Sequence, residues 1–501
     1  MLTINVDNKD IEVNEGALLI DVMLKNGISV PHFCYHEALG PDGNCRMCMV
    51  EIEGQKRPQI ACDTIVKDGM IVRTKGEKIE KVKRGILELE LINHPIDCPI
   101  CDQAGECKLQ EYYMEVGLYE SRLDTPKVKA KKHVHLGSEV MLDQERCVLC
   151  KRCVRFTQIY TKTDDLIVEK RSDKSVISTF PGRKFENPYA GNVVDICPVG
   201  ALTDRDFRFK KRVWFLSHGK GICMECSRGC NIRVGHDKAK YQDDIIYRFK
   251  PRRNDQVNGF FICDHGRYSY KKENDNRLFH PLLNGKELEL QDGIDSLKGL
   301  IKKDALVIIG ASLSLEEIAY IKAWANKEGI KVASLVEDYI DESFEDKLLK
   351  TKERASNINA LKLLDIKNLS KDLLKECKNI ILFEHDITKD LTKEEIKEKK
   401  IINFTTHAAN SELFEFNFPV ASTYEKRGSY INCDWILQKS EKIVQKELQP
   451  PTIIEVLSIL LDEYMDEDKV WREYLNGSQT LKEINISLIR DDGYKLGVKN
   501  G

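Results

Sequence analysis

The chain has 501 residues, 42% of them apolar and 32% charged, with a formal net charge of -3. That length leaves room for several domains, and the small negative charge argues against polyanion binding by the molecule as a whole, so no nucleic-acid partner is expected. The start, Met1-Leu2-Thr3-Ile4-Asn5-Val6-Asp7, alternates like a strand instead of showing a secretory signal, and no apolar run approaches the ~18 residues of a spanning helix; a cytoplasmic chain is expected, with membrane contact only through partners.

Fifteen of the 17 cysteines precede residue 264, at spacings that in a cytosolic chain point to metal rather than disulfides. Residues 1–77 read as paired strands carrying Ile4, Val6, Ile11 and Val13, a helix over Ala17–Lys25, and later strands at Val50–Glu53 and Met70–Thr74. Cys34, Cys45 and Cys48 flank the loop Leu39–Asn44, and Cys62 returns from the next turn. The C-x10-C-x2-C-x13-C spacing departs from the plant-type run, but a β-grasp ferredoxin holding a 2Fe–2S cluster in a longer loop would produce it. This module resembles the N-terminal 2Fe–2S domain found in the G subunits of respiratory complex I and in iron-only hydrogenases.

A second domain is expected over 78–117. It opens with an amphipathic helix over residues 77–93, carrying Ile79, Val82, Ile86 and Leu89 and stopped at His94-Pro95. Three cysteines follow, Cys98, Cys101 and Cys107, leaving a 4Fe–4S cluster one ligand short, so His94 completes the set; imidazole in place of a thiolate removes a negative charge. The same H-x3-C-x2-C-x5-C pattern occurs in the G subunits of complex I and in related hydrogenase subunits.

Residues 138–215 carry their own internal check. A two-cluster bacterial ferredoxin repeats C-x2-C-x2-C-x3-C-P, with the fourth cysteine of each run serving the other cluster. Here Cys147, Cys150, Cys153 and Cys197 complete one 4Fe–4S set, whereas the other falls on Thr157, Asn187, Ala190 and Val193 and is lost entirely. Over 216–285, Cys223, Cys226, Cys230 and Cys263 make a fourth set, for which zinc is the alternative. Coming directly after three ferredoxin-like modules, it reads as 4Fe–4S. It resembles the N-terminal cluster domain of molybdopterin oxidoreductases, although His265 stands where those enzymes usually carry lysine.

From about 290 the character changes. Ala305–Gly310, Leu315–Gly329 and Lys331–Val336 form a βαβ unit, and Asn379–Phe383 and Lys400–Phe404 continue the parallel pattern. Glu425-Lys426-Arg427-Gly428-Ser429-Tyr430-Ile431-Asn432 with Gln438 resembles the E-x-x-G-T-x-x-N…Q stretch of molybdopterin-family proteins, yet the 238 residues after Cys263 are too few for that family's complete pterin-binding body. The expectation is a truncated, reduced Rossmann-like α/β domain over 290–442, then a helical or partly disordered tail over 443–501. Gly310 lacks the companion glycines of a dinucleotide loop, and Cys377 and Cys433 read as ordinary half-buried thiols. The basic runs Lys127–His133, Arg205–Arg212, Arg248–Arg253 and Arg267–Lys272 fit either a solvated face or a shell offsetting cluster charge.

The fold class expected is therefore multidomain α+β and α/β, with one 2Fe–2S and three 4Fe–4S clusters and no molybdopterin, NAD or flavin. The order of modules resembles the G subunits of NADH–quinone oxidoreductase, strongly over roughly 1–285 and weakly over 300–440. The resemblance implies an electron-transfer subunit with no catalytic residue of its own. Its partners would be a flavin/NADH or ferredoxin/flavodoxin-type donor subunit, a ferredoxin-like subunit and quinone-site subunits of a proton-translocating complex on the cytoplasmic side of the inner membrane. By the same resemblance the Cys223–Cys263 cluster lies off the main path. The alternative is an electron-transfer subunit of a soluble NAD-coupled hydrogenase or formate dehydrogenase.

Overall fold

In the computed structural model, which describes residues 1–497 except 123, 388–390, 397, 408–413 and 483, the chain forms two units, Met1–Phe215 and Leu216–Gly501. The first begins with Leu2–Val6 (β1) and Lys9–Val13 (β2), whose inward residues Ile4, Val6, Ile11 and Val13 meet the inner face of Leu19–Lys25 (α1). Met49–Ile52 (β3), Gln59–Ile60 (β4) and Ile71–Arg73 (β5) complete a mixed sheet of order β2-β1-β5-β3-β4, with β1 and β5 parallel. Cys48 and Cys62 belong to the same core, so the donor loops are anchored by the sheet.

Glu77–Leu91 (α2) buries Ile79, Lys83 and Leu87, while Leu89 is 69% exposed, which corrects the expected Ile79–Val82–Ile86–Leu89 face. At about 100° per residue Leu89 lies roughly 120° from the centre of the buried stripe. Lys83 enters that stripe because its ammonium donates to the Thr74 carbonyl at 2.9 Å. Lys108–Val116 (α3) starts directly after Cys107 and buries Leu109 and Tyr112. Val134–His135 (β6), Val140–Leu142 (β7), Arg152–Arg155 (α4), Leu166–Glu169 (β8), Val176–Thr179 (β9), Asn192–Ile196 (α5) and Leu202–Asp204 (β10) finish the unit. They give one small sheet of order β10-β7-β6 and the hairpin β8-β9.

The second unit opens with the antiparallel meander Ser217–Ile222 (β11), Asn231–Lys238 (β12) and Asp244–Pro251 (β13), then the short helices Asp264–Tyr268 (α6) and Tyr270–Asn274 (α7). Next come Leu282–Leu283 (β14), Lys286–Glu287 (β15), Leu290–Leu300 (α8), Ala305–Ile309 (β16), Leu315–Glu328 (α9), Lys331–Ser334 (β17), Ile358–Leu363 (α10), Lys371–Glu376 (α11), Asn379–Phe383 (β18), Lys393–Ile396 (α12), Lys400–Thr405 (β19) and Phe416–Pro419 (β20). The sheet runs β15-β14-β20-β19-β18-β16-β17 and is parallel from β20 to β17. All five residues of β16 are buried, because apolar layers cover both faces. A Ser314–Glu317 capping box starts α9, and Gly329 in the left-handed region ends it.

Gly428–Ile431 (β21), Ile436–Ser440 (β22) and Tyr494–Lys495 (β23) form a last sheet, and Ile453–Leu461 (α13) packs against α9 and α8. The segment from 443, expected to be a helical or partly disordered tail, carries helices at Ile453–Leu461 and Glu467–Val470 (α14), and Ile453, Leu457, Trp471, Leu475, Leu481 and Leu496 sit in the main core of the α/β region.

Candidate metal centres

The first set closes because the Leu39–Asn44 loop brings three cysteines back to Cys62, in the turn after β4. Cys34 is in side-chain contact with Cys45 and Cys62, and Cys62 with Cys48. The amide N–H groups of Asn44 and Cys45 point to the Cys34 sulfur, that of Met47 to Cys45, and those of Ala61 and Cys62 to Cys48. Arg46, left-handed at φ 56, turns that loop. Inward amides stabilise thiolate charge and tune a bound cluster.

In the second set His94, Cys98, Cys101 and Cys107 all line one cavity of about 1220 Å³. Burial first, then Arg146 and Lys127, push the His94 imidazole down to about 4, so its ring is neutral and able to donate a lone pair. Arg212 fixes the loop by donating to the Cys101 and Cys98 carbonyls at 3.0 and 3.1 Å. Asp97 is held by Arg146 at 2.9 Å and by Lys132. A Cβ on Gly200 would lie 2.2 Å from the Cys101 sulfur, so only glycine lets this thiol lie against the third module.

Cys147, Cys150, Cys153 and Cys197 together line a small cavity of about 20 Å³, walled by Leu142, Val148, Ile177, Val199, Ala201 and Leu202. Leu149 and Lys151, on either side of Cys150, are both left-handed (φ 48 and 58), and the Leu149 amide donates to the Cys147 sulfur at 3.4 Å. Burial pushes the Cys150 thiol up to about 12, so without a compensating cation these groups are protonated; metal binding must displace those protons. The positions of the lost set hold no thiol. Thr157, Ala190 and Val193 are packed in the core, Asn187 bonds Asp165 at 2.9 Å, and Phe156, Tyr160 and Tyr189 stack nearby.

The fourth set, Cys223, Cys226, Cys230 and Cys263, is fully buried around the turn between β11 and β12. Gly266 comes so near that a Cβ would meet the Cys223 sulfur at 2.7 Å, and its amide donates to Cys263 at 3.4 Å. Two remote segments hold the loop. The Ser227 hydroxyl donates to Glu353 at 2.5 Å, Arg354 reaches the Glu225 carbonyl at 3.3 Å, and Ser356 lies against the Met224 sulfur at 3.0 Å. From the other side Gln438 donates to the Gly229 carbonyl at 3.1 Å and accepts from Asn231, Asn432 donates to the Arg228 carbonyl at 3.3 Å, and Asp434 pairs with Arg228 at 2.7 Å. His265 bonds Glu225 at 2.6 Å, packs on Phe344 and meets Arg354 at 2.8 Å.

The Glu425–Gln438 stretch thus serves architecture throughout. Glu425 takes a bidentate ion pair from Arg277 (2.7 and 2.9 Å), Lys426 pairs with Glu317 at 2.6 Å, and Ser429 donates to Glu316 at 2.7 Å. Cys377 is buried beside Lys399, and Cys433, half-buried, donates its amide to the Ser227 carbonyl at 2.7 Å.

Among the described residues, no three His, Cys, Asp or Glu side chains converge as the donors of a single metal ion would. The fit of a cluster rests instead on the cysteine-rich donor sets, the amides aimed at sulfur, and the glycines at 200 and 266 that a Cβ would push into a thiol. Sequence reasoning passed over those two glycines, and over Arg152 and Arg155. The glycines were readable from Cys197-Pro198-Val199-Gly200 and Cys263-Asp264-His265-Gly266, and the arginines from Cys150-Lys151-Arg152-Cys153-Val154-Arg155.

Arg155 donates to the carbonyls of Leu39 and Gly40, at 3.0 and 2.8 Å, and to that of Cys34, and Asn44 donates to the Leu149 carbonyl at 3.0 Å. The third set therefore borders the first, and through Gly200 and the Lys108 amide on the Pro198 carbonyl (2.9 Å) it borders the second.

Three family descriptions match: "2Fe-2S iron-sulfur cluster binding domain" over 1–77, "NADH-ubiquinone oxidoreductase-G iron-sulfur binding region" over 83–122, and "NADH-quinone oxidoreductase subunit 3, ferredoxin-like domain" over 137–203. The G subunit of NADH-quinone oxidoreductase from Streptomyces coelicolor is 38% identical over 58% of this chain and 34% of its own length. The Rickettsia conorii G subunit is 34% identical over 66% of this chain and 49% of its own. Over 58–66% of its length this chain is similar in sequence to those G subunits of NADH-quinone oxidoreductase. It spans about a third to a half of the length of the curated relatives it matches. A chain of a solved NAD+-reducing [NiFe]-hydrogenase in the H2-reduced state aligns at 29% identity over 42% of this chain and 91% of its own, with a TM-score of 0.39. No helix among the described residues is long and apolar enough to cross a membrane.

Proposed function

We propose that this chain is the iron–sulfur electron-transfer subunit of a complex I-type oxidoreductase that moves electrons from NADH, or a ferredoxin or flavodoxin, toward quinone. The observation that carries the proposal is the contiguity of three donor sets within one unit, the third bordering both the first and the second. Cys34, Cys45, Cys48 and Cys62 would hold a 2Fe–2S cluster. His94, Cys98, Cys101 and Cys107, then Cys147, Cys150, Cys153 and Cys197, and finally Cys223, Cys226, Cys230 and Cys263 would hold 4Fe–4S clusters. When bound, such clusters supply one-electron storage without proton or group transfer.

The chain's own residues set the terms of that storage. Amides at Asn44, Leu149 and Gly266 donate to sulfur, His94 replaces one anionic ligand with a neutral one, and Arg212 and Lys127 hold carbonyls beside the second set. The lost set, filled by Thr157, Asn187, Ala190 and Val193, leaves the third module with one centre. The domain boundaries proposed are 1–77, 78–117, 138–215, 216–285 and a reduced Rossmann-like region from 290. The last now includes the 443–497 segment, given its place in the core. Partners follow by homology: a donor subunit, a ferredoxin-like subunit and quinone-site subunits, with the assembly on the cytoplasmic face of the membrane.

Metal and sulfide analysis of anaerobically purified chain, with EPR of the reduced form, tests the reading. The expected result is one 2Fe–2S and three 4Fe–4S signals. Stoichiometric zinc with little iron, and no visible charge-transfer absorption, would end it.

A further inference from the structure

Arg152 is buried, 8% exposed, as the first residue of α4, between Cys150 and Cys153. One of its terminal nitrogens donates to the Ile196 carbonyl at 3.1 Å, the peptide group that Cys197 itself completes. The other donates to the carbonyl of Tyr35, the residue after Cys34. A single guanidinium thus ties the backbone beside a first-set cysteine to the backbone beside a third-set cysteine. No carboxylate pairs with it among the described residues, and its Nε–H finds no acceptor there. A buried arginine without an anionic partner is expensive, and the charged groups expected on either side are thiolate-bound clusters. Arg155 lacks the double reach, since its contacts all fall on the Cys34–Pro41 loop.

We propose that Arg152 is a positioning and charge-setting residue shared by the first and third centres: it fixes the two donor loops to each other and places one buried positive charge between two anionic sites. The proposal rests on the iron–sulfur reading above. A cation between two clusters favours the reduced, more negative state of both, so it raises both potentials together and keeps them matched for exchange.

The full chain, reconstituted anaerobically with iron and sulfide, is titrated electrochemically with EPR detection as wild type, Arg152→Gln and Arg152→Lys. In Arg152→Gln, which keeps an amide donor without charge, both midpoints are expected to fall, each by at least a tenfold change in the one-electron equilibrium, about 59 mV. Arg152→Lys keeps the charge and should hold both within that limit. A fall in only one midpoint, smaller falls in both, or equal falls in the two variants overturns the shared role. If Arg152→Gln retains neither centre, Arg152→Lys decides: retention of both supports the proposal, and loss of either overturns it. Loss of one centre alone in Arg152→Gln also overturns it. A wild-type chain with no reducible iron–sulfur signal would instead remove the functional reading itself, an outcome distinct from all of these.

Discussion

Gly200→Ala adds a methyl where the structure leaves no room for one. The new Cβ would lie 2.2 Å from the Cys101 sulfur and 3.1 Å from the Gln103 Cβ. Ordinary contact between such atoms is about 3.5–4.0 Å, so the sulfur must retreat by roughly 1.5 Å. In the metal-free chain a side-chain rotation absorbs much of this, at an overpacking cost of about 1–3 kcal/mol, and each kcal/mol lowers Tm by about 2–4 °C for a unit of this size. A bound cluster removes that freedom, because metal–ligand distances tolerate only about ±0.2 Å. The damage should therefore fall on occupancy more than on folding. Iron should drop by about four atoms per chain, the content of one 4Fe–4S cluster, and the signal of the His94 centre should vanish while the others remain. Iron and sulfide assays with EPR of the reduced protein measure this. Full iron with an unchanged second signal would refute the argument that Gly200 exists to admit the Cys101 thiol.

Four further outcomes are expected. His94→Cys should retain its centre but at a lower potential in an EPR redox titration, because a thiolate adds negative charge. Gln438→Leu leaves the Gly229 carbonyl and the Asn231 amide without their partner; at about 1–3 kcal/mol per unsatisfied group it should weaken or abolish the fourth signal selectively, and an intact signal would discount the clamp. Arg277→Met strands the buried Glu425 carboxylate, whose side chain is 0% exposed, and calorimetry should show a loss of about 3–5 kcal/mol. Glu90, pushed up to about 7 by burial, binds its proton more tightly folded than unfolded. It therefore costs stability as pH rises from about 4.5 through 7, and Glu90→Gln should flatten that part of the Tm–pH profile of the metal-free chain.

The proposed donor sets can be picked out because ligand spacing is local: Cys147-x2-Cys150-x2-Cys153 needs no long-range information, and the blanks at Thr157, Asn187, Ala190 and Val193 follow from the same count. The apolar runs of β16, β18 and β19 announced a parallel sheet for a similar reason. What the sequence hid depends on distant partners. Nothing near Glu353 or Gln438 signals that each grips the Ser227–Asn231 turn, more than a hundred residues away. Nothing local marks Lys83 for burial; its ammonium donates to the Thr74 carbonyl, and the buried stripe of α2 lies away from Leu89. In the closing segment the apolar run Ile453–Leu461 is plain in the sequence, but Leu475, Leu481 and Leu496 stand apart among polar residues, and only the fold gathers them together.

The clamp on the fourth donor loop has a consequence for biogenesis. The first three sets are complete in the nascent chain once Cys197 and the Arg212 tie have been made. The fourth has all its cysteines at Cys263, yet its loop lacks Glu353, Arg354, Asn432 and Gln438 until about 175 more residues have emerged. At 5–20 residues per second that is a delay of about 10–35 s on the ribosome. On the iron–sulfur reading proposed above, iron delivery to this polypeptide would be staged, and a ribosome that stalls between those points would release a chain with three donor sets in place and a fourth whose thiols are present but unshaped.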